Sequence, residues 1–321
     1  GSEMCIRDRV NPTGTIPLSE AQFRANIDRC ICVDQDKNVF FLVDNDGKFA
    51  AFMLNEEADK LISLKSDINA LFNSPVLGYN SKDDIVYQFW ANRDSHEVYY
   101  FDPKTDYAPT TAISSISWDD PNFPNIEGFG VWAAKCNFTM GPDGKMYSRM
   151  LGGNLVRIDV ENARGENLTN GDLVGTKDGS AYGLVFDPQD ENVFYFSNND
   201  KHCIYKYDLR TKECACWAGQ EGKSGYLDGP IGQAMFNKPG QMCVDSEGNI
   251  ILTDTENHCI RKITMSTGYV STLAGKPQNS GYVNGSAEDA QFKKPLGICI
   301  DNDDVMYILS LIHISEPTRP R

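Results

Sequence analysis

A repeat with a period of 56 residues constrains the fold of this chain more than any other feature. The matching positions include Phe236 and Phe292, Lys238 and Lys294, Pro239 and Pro295, Cys243 and Cys299, Asp245 and Asp301, and His202 and His258. A fixed spacing that several residue types share indicates one structural unit used repeatedly.

Within one unit, residues 236–275, four short apolar and β-branched runs alternate with turn-forming residues. Sequences such as D-S-E-G-N, D-T-E-N and M-S-T-G separate the runs. This pattern predicts four antiparallel strands joined by tight turns. Such sheets, repeated radially, form a β-propeller, which leaves only short, protected strand edges. A β-sandwich is the alternative for any single unit, but it does not explain a fixed period.

The segment N-K-P-G-Q-M-C-V-D-S-E-G-N-I-I-L-T-D-T-E-N-H-C-I-R-K-I resembles an NHL repeat. The resemblance continues into 292–308 and, less closely, back to 181–219. NHL repeats form propellers, often with six blades. We therefore expect an all-β, six-bladed propeller of four-stranded antiparallel blades. Five blades are complete in this interpretation, and the last is truncated.

Both ends of the chain differ in character from the repeat. Residues 1–9 resemble a cloning remnant followed by an adapter-derived peptide, and residues 309–321 resemble peptides translated from sequencing-adapter DNA. We expect these segments to be foreign to a single propeller domain at 10–308. The apolar run L-S-L-I-H-I is nevertheless expected to add a strand to the open edge of the last sheet, since such an edge accepts most extended segments.

The charge balance limits the partners of this chain. Its formal net charge is −15 and its pI is near 4.7. An acidic surface repels nucleic-acid phosphates and anionic lipids, so we expect no nucleic-acid partner. No apolar run approaches the roughly 20 residues of a membrane-spanning helix, so no such segment is expected. We expect a monomer.

The placing of the ten cysteines argues against a disulfide framework. Cys32, Cys243 and Cys299 occupy equivalent sites in three predicted blades, which a ring keeps apart, so we interpret them as buried apolar residues. The spacing C-x-C occurs at Cys30 and Cys214, but no second pair of ligands lies nearby, as a zinc site requires.

Histidines and aspartates also recur from blade to blade. His202 and His258 are equivalent, which favours a structural role in each blade over a shared site. Asp34, Asp187 and Asp245 each end a first strand, as does Asp301. Their carboxylates could line the channel and bind Ca²⁺, or they could stabilise Asx turns. We favour the turns and expect no cofactor, with Ca²⁺ in the central channel as the alternative.

The candidate binding residues lie in the long links between blades and in 114–132, where the repeat is interrupted. Aromatic rings beside carboxylate and amide groups suit stacking on sugar rings and bonding of their hydroxyls. The predicted ligand-binding residues are Trp118, Asp119, Asp120, Trp132, Tyr226 and Tyr282. The two tyrosines are repeat equivalents, so packing of each loop onto its own blade is the alternative role for them.

The chain is similar to NHL-repeat surface proteins of gut Bacteroidetes, in which a propeller often follows a TIG domain. This resemblance implies a non-catalytic binding module of an exported protein, at the cell surface or in the periplasm, that recognises an oligosaccharide or a partner protein. The sequence contains no nucleophile elbow, P-loop or dinucleotide fingerprint. The alternative is a propeller enzyme of the lactonase or lyase type with a metal in its central channel.

Overall fold

Short antiparallel strands supply most of the regular structure in the computed structural model of this chain. The structure describes residues 15–17, 26–45, 48–55, 57, 60–69, 76–91, 96–114, 116–119, 138–149, 154–169, 183–310 and 313–314. Within these ranges, no helix is long and apolar enough to cross a membrane.

The strands of the first half of the chain form three sheets. The first has the spatial order β1-β5-β4-β3-β2 and consists of β1 (Thr15–Pro17), β2 (Asn26–Val33), β3 (Val39–Asn45), β4 (Lys48–Leu54) and β5 (Lys60–Asn69). The second consists, in order, of β6 (Val76–Asn80), β7 (Ile85–Ala91), β8 (His96–Phe101) and β9 (Thr110–Ile113). The third has the order β10-β14-β13-β12-β11 and consists of β10 (Ser117–Trp118), β11 (Thr139–Met140), β12 (Met146–Arg149), β13 (Leu155–Asp159) and β14 (Arg164–Asn167).

The second half of the chain forms three further sheets. The fourth consists, in order, of β15 (Leu184–Phe186), β16 (Val193–Asn198), β17 (Cys203–Asp208) and β18 (Cys214–Gly219). The fifth has the order β19-β23-β22-β21-β20 and consists of β19 (Gly229–Pro230), β20 (Pro239–Val244), β21 (Ile250–Asp254), β22 (Cys259–Thr264) and β23 (Tyr269–Ala274). The sixth consists, in order, of β24 (Pro295–Ile300), β25 (Met306–Ser310) and β26 (His313–Ile314).

One inner strand from each sheet lines a central ring. In the order β2, β6, β11, β15, β20 and β24, each of these strands contacts the next, and β24 contacts β2. Apolar side chains fill the spaces between neighbouring sheets. At the closing contact, Cys299 and Leu309 of the sixth sheet pack with Ile31 and Phe41 of the first. This radial arrangement of small sheets is a β-propeller.

The sequence predicted a six-bladed ring with five complete blades and one truncated blade, and the described strands form five complete blades rather than six. Five of the sheets have at least the four strands of a full blade, whereas the sixth has three in the part of the chain that the structure describes. The prediction of four-stranded antiparallel blades is therefore confirmed for most of the ring. The tail contributes to the sixth sheet as predicted, because β25 continues to Ser310 and β26 pairs with it through His313 and Ile314.

The aspartates at the ends of inner strands stabilise turns, as favoured from the sequence. The Asp245 carboxylate accepts a hydrogen bond from the Asn249 backbone N–H at 2.7 Å. Asp301 accepts in the same way from Val305 N–H at 2.9 Å. These bonds satisfy backbone donors that the tight turn leaves without a sheet partner. The backbone of its own turn therefore provides a hydrogen-bond donor to each of these two carboxylates.

Two hydrogen bonds in the central ring join the fifth sheet directly to the first, although the sixth sheet lies between them in the ring order. The Gln241 side chain on β20 donates from Nε2 to the Ile31 carbonyl at 2.8 Å and accepts through Oε1 from the Ile31 N–H at 3.3 Å. Within the part of the chain that the structure describes, no strand pairs with the inner edge of β2. The buried Gln241 amide thus takes the place of a peptide group and pairs both polar groups of Ile31.

We expect Gln241→Leu to lower the free energy of unfolding by about 2–3 kcal/mol, because it leaves the N–H and C=O of a buried residue without partners. Urea denaturation followed by tryptophan fluorescence measures the change. Gln220→Leu is the control, since the Gln220 side chain bonds the Gln233 carbonyl at the surface. An equal, small effect of both substitutions would contradict this role for Gln241.

Candidate functional site

The links from β18 to β20 and from β23 to β24 adopt the same local structure. In the first link, Leu227 forms an isolated antiparallel bridge with Met235, and in the second Val283 forms the equivalent bridge with Gln291. We call these two links the long loops. The paired backbone contacts hold each long loop in a defined conformation instead of leaving it as an open connection.

A buried arginine attaches the first long loop to the fifth sheet. Arg261 on β22 is fully buried, and it donates to the Asp254 carboxylate at 2.7 Å and to the Asp228 carboxylate at 2.7 Å. It also donates to the backbone carbonyls of Leu227 and Met235 at 2.9 and 3.1 Å. One guanidinium therefore joins two strands and both sides of the loop. We call this arrangement the arginine clamp.

Asp254 supports the clamp from inside the sheet. Its carboxylate accepts hydrogen bonds from the Asn237 N–H at 2.7 Å and from Asn257 Nδ2 at 2.9 Å, in addition to Arg261. Burial raises the pKa of Asp254 to about 6, and the positive charge of Arg261 acts against that shift. At neutral pH the carboxylate is ionised and paired, so the ion pair is satisfied despite its complete burial.

Tyr226 is part of the clamp. The Arg261 guanidinium lies over its ring, 4.9 Å from the centroid, and the Tyr226 hydroxyl is 2.7 Å from the Thr272 hydroxyl. These contacts pack the ring onto its own blade, which is the alternative role that its repetition suggested. Tyr226 therefore positions the loop, and its ring face is already occupied by a cation.

Tyr282, the equivalent of Tyr226 in the second long loop, is oriented toward solvent. In the described residues, four large apolar side chains are exposed: Leu227 (46%), Tyr269 (47%), Tyr282 (40%) and Val283 (46%). Three of the four lie in the long loops, and Leu227 and Val283 are repeat equivalents. The Lys293 ammonium lies 5.7 Å from the Tyr282 ring centroid.

The predicted residues around the interrupted repeat lie elsewhere. Trp118 belongs to β10, which pairs in parallel with β14 at the outer edge of the third sheet, and its ring lies directly against Gly165. Asp119 is exposed and accepts from the Asn167 N–H at 3.1 Å. Trp118 and Asp119 are thus neighbours on a different sheet from Tyr226 and Tyr282. Asp120 and Trp132 lie outside the described residues.

The two repeated histidines connect neighbouring sheets. His202, which follows β16, accepts a hydrogen bond through Nδ1 from the Lys238 N–H at 3.1 Å. His258, which follows β21, accepts the equivalent bond from the Lys294 N–H at 3.1 Å. Burial is the main cause that lowers the pKa of each imidazole. The neutral ring is required for both bonds, which supports the structural role predicted from repetition.

A cavity of about 370 Å³ occupies the centre of the ring. Its lining is largely apolar and includes the repeat-equivalent thiols Cys32, Cys243 and Cys299. Asp187 reaches the same cavity, but its carboxylate is bonded by the Gln189 N–H and the Tyr195 hydroxyl. Among the described residues, no three His, Cys, Asp or Glu side chains are grouped as metal ligands.

The clamp is the feature that sequence reasoning missed. Asp254 and Arg261 flank the turn in D-T-E-N-H-C-I-R, on two adjacent strands, and both were assigned only to the repeat pattern. An acidic and a basic residue on strands that are buried on both faces must pair, because an unpaired buried charge is very costly. Applied to the sequence, this rule predicts the pairing of Asp254 with Arg261.

Comparison with known proteins supports the fold. Residues 236–263 match the family model of the NHL repeat. The chain is 25% identical over 260 residues to the chloroplastic protein SUPPRESSOR OF QUENCHING 1 of Arabidopsis thaliana, which covers 75% of this chain and 24% of that protein. It is 29% identical over 92 residues to human NHL repeat-containing protein 2, which covers 28% of this chain and 12% of that protein. The chain thus spans a quarter or less of the length of these relatives.

Solved structures similar to this chain include several bacterial proteins. A Bacteroides thetaiotaomicron protein of unknown function has a TM-score of 0.77 at 21% identity and matches 96% of this chain and 72% of its own. An auxiliary nutrient binding protein from the same species has a TM-score of 0.69 at 18% identity, with coverages of 95% and 72%. Virginiamycin B lyase from Staphylococcus aureus has a TM-score of 0.53 at 13% identity, with coverages of 93% and 95%. At these identities the similarity shows the fold alone.

We expect Arg261→Leu to destabilise the chain by about 3–5 kcal/mol, since it leaves the buried Asp254 charge without its partner. Chemical denaturation measures this, and hydrogen exchange at 225–228 is expected to accelerate. Adding Asp254→Leu should recover part of the loss, because the unpaired charge is removed as well. Arg210→Leu is the control at the surface, and a loss as large as that of Arg261→Leu would contradict the clamp.

The histidine bonds predict a loss of stability on acidification. Because each folded-state pKa lies below its unfolded value, the unfolded chain takes up the proton first, and the free energy of unfolding falls as pH decreases through about 6.5. Lys238 and Asp200 are the charges near His202, and Glu256, Lys293 and Lys294 are those near His258.

Denaturation at pH 7.5 and 5.0 tests the prediction. The wild type should lose more stability over this interval than the double variant His202→Gln, His258→Gln. The opposite pH effect of Asp254 is common to both proteins and cancels in the difference. Equal pH dependence of the two proteins would exclude the histidine bonds as its source.

Proposed function

We propose that this chain is a non-catalytic binding module that recognises an oligosaccharide or a protein ligand with its long loops. The observation that carries the proposal is the concentration of exposed apolar side chains there, with Leu227, Tyr282 and Val283 outside the packed core. Exposure of apolar side chains to water is unfavourable. Burial of the same surface against a ligand releases this free energy and contributes to binding.

The rigidity of the loops supports the same proposal. The arginine clamp and the isolated β-bridges fix the backbone on which Leu227 and Val283 are carried. A surface that is ordered before the ligand arrives loses little conformational entropy on binding, so more of the contact energy appears as affinity. The ring of Tyr282 is 40% exposed and has the Lys293 ammonium over one face. Its other face suits stacking on a sugar ring, and Lys293 suits a polar contact to the sugar hydroxyls.

The relatives are consistent with a binding role in an exported protein. Propellers of similar fold from Bacteroides include auxiliary nutrient binding proteins. By extension we place this chain at the cell surface or in the periplasm and treat it as a monomer. Trp118 and Asp119 remain candidates for contact with a ligand that reaches the outer edge of the third sheet. Tyr282 is the stronger candidate, because the Trp118 ring is packed against Gly165.

A lyase or lactonase function is the second candidate, favoured by the similarity to virginiamycin B lyase and by the central cavity. Its described lining does not suit a hard cation such as Ca²⁺, which takes six to eight oxygen ligands. The Asp187 carboxylate is engaged in its own turn, and the other lining residues are largely apolar or thiols. We therefore derive no reaction step through a metal in this cavity.

A glycan array followed by calorimetry on the best ligand tests the binding site. We expect Tyr282→Ala to weaken binding of that ligand roughly 5- to 30-fold, because the exposed ring supplies a stacking surface worth about 1–2 kcal/mol. Tyr269→Ala is the matched control, since it removes an equally exposed tyrosine from β23 and should leave affinity unchanged. If Trp118→Ala abolishes binding while Tyr282→Ala does not, the site lies on the third sheet. Turnover of a lactone substrate without such binding would favour the enzyme.

A further inference from the structure

Two cysteines on adjacent strands of the fourth sheet are brought into contact by a β-bulge. Cys203 on β17 pairs in register with Gly219, and Tyr205 pairs with Cys216 on β18. The register shifts between these pairs, because Trp217 is an extra residue on β18. The two side chains lie on the same face of the sheet and pack in one apolar cluster. The Cys216 thiol lies 3.8 Å from the carbonyl oxygen of Gly219, the residue opposite Cys203.

We propose that Cys203 and Cys216 form a disulfide when the chain occupies an oxidising compartment. Each thiol loses its proton, the two sulfurs become bonded, and two electrons pass to the disulfide of an exchange partner such as oxidised glutathione, which leaves as two thiols. The sequence alone draws attention to Cys214 and Cys216, which have C-x-C spacing. The proposed partner of Cys216 lies instead on the preceding strand.

The environment of the two sulfurs assigns their roles. Cys203 is fully buried, whereas Cys216 is only partly buried and can be reached by an oxidant. Interaction with the Cys203 thiol lowers the pKa of the Cys216 thiol. Cys216 is therefore the thiol that attacks first, and Cys203 resolves the mixed disulfide.

The neighbouring thiols do not share this geometry. Burial raises the pKa of Cys214 to about 12, which leaves it protonated and unreactive. In the fifth sheet Cys259 is the repeat equivalent of Cys203, but the position equivalent to Cys216 is Thr272. The fifth sheet is thus an internal control within the same chain.

The bond would secure an outermost strand. β18 is the outermost strand of its sheet, so one of its edges has no partner strand among the described residues. Edge strands open before central ones and invite pairing with other chains. A link from Cys203 to Cys216 closes the turn at 209–213 covalently and holds β18 against β17.

Peptide mapping tests the proposal directly. The folded chain is incubated with oxidised glutathione at pH 8, remaining thiols are alkylated, and trypsin is added. Because Lys206, Arg210 and Lys212 lie between the two cysteines, the disulfide holds two tryptic peptides together, with a mass two hydrogens below their sum. Oxidation is expected to raise Tm by roughly 5 °C, since it closes a short loop.

Three variants distinguish the possible pairings. Cys214→Ser should keep the linked peptides, although Cys214 and Cys216 share one tryptic peptide. Cys216→Thr, which introduces the residue of the fifth sheet, should abolish them, and Cys203→Ala provides the same test if Cys216→Thr does not fold. Recovery of Cys203 as an unlinked thiol after oxidation, or retention of the link in Cys216→Thr, overturns the proposal.

Discussion

Each sheet of this ring has two apolar faces, and the requirement for a neighbour on both sides governs the fold. The strand β21 shows it directly. Ile250 and Leu252 pack toward the fourth sheet, while Ile251, between them, packs toward the sixth. A strand that is buried on both faces loses its stabilisation if either neighbour is absent. The ring must therefore close, and the contact of β24 with β2 supplies the closure.

Equivalent positions in the fifth and sixth sheets carry different residues, and the difference changes how each long loop is held. Asp254 in the fifth sheet accepts the Asn237 N–H, and Ser310 in the sixth sheet accepts the equivalent N–H of Lys293 through its hydroxyl at 3.2 Å. A serine carries no charge to hold an arginine, so the described part of the sixth sheet keeps the loop conformation without the clamp. The tyrosine of this loop, Tyr282, is 40% exposed.

Local features of the fold could be predicted from the sequence, because their causes are local. Runs of β-branched residues and D-x-x-G-N turns indicated the strands, and the 56-residue period indicated the radial repetition. Contacts between distant segments could not be predicted. The thiol of Cys203 meets Cys216 through a bulge that no spacing rule reveals, and the Trp118 ring packs on Gly165 through a short parallel strand. The predicted binding residues were chosen by type, but their exposure depends on these contacts.

The bridge between Gln241 and Ile31 has a consequence for the synthesis of the chain. The two residues are 210 positions apart, so β2 leaves the ribosome long before the side chain that pairs with its inner edge exists. Contacts of such separation are slow to form, since a large loop must close first. Until then the inner edge of the first sheet is a free template for another strand. Closure of the ring is thus the step at which a nascent chain pairs its first sheet either with its own later strands or with strands of another chain.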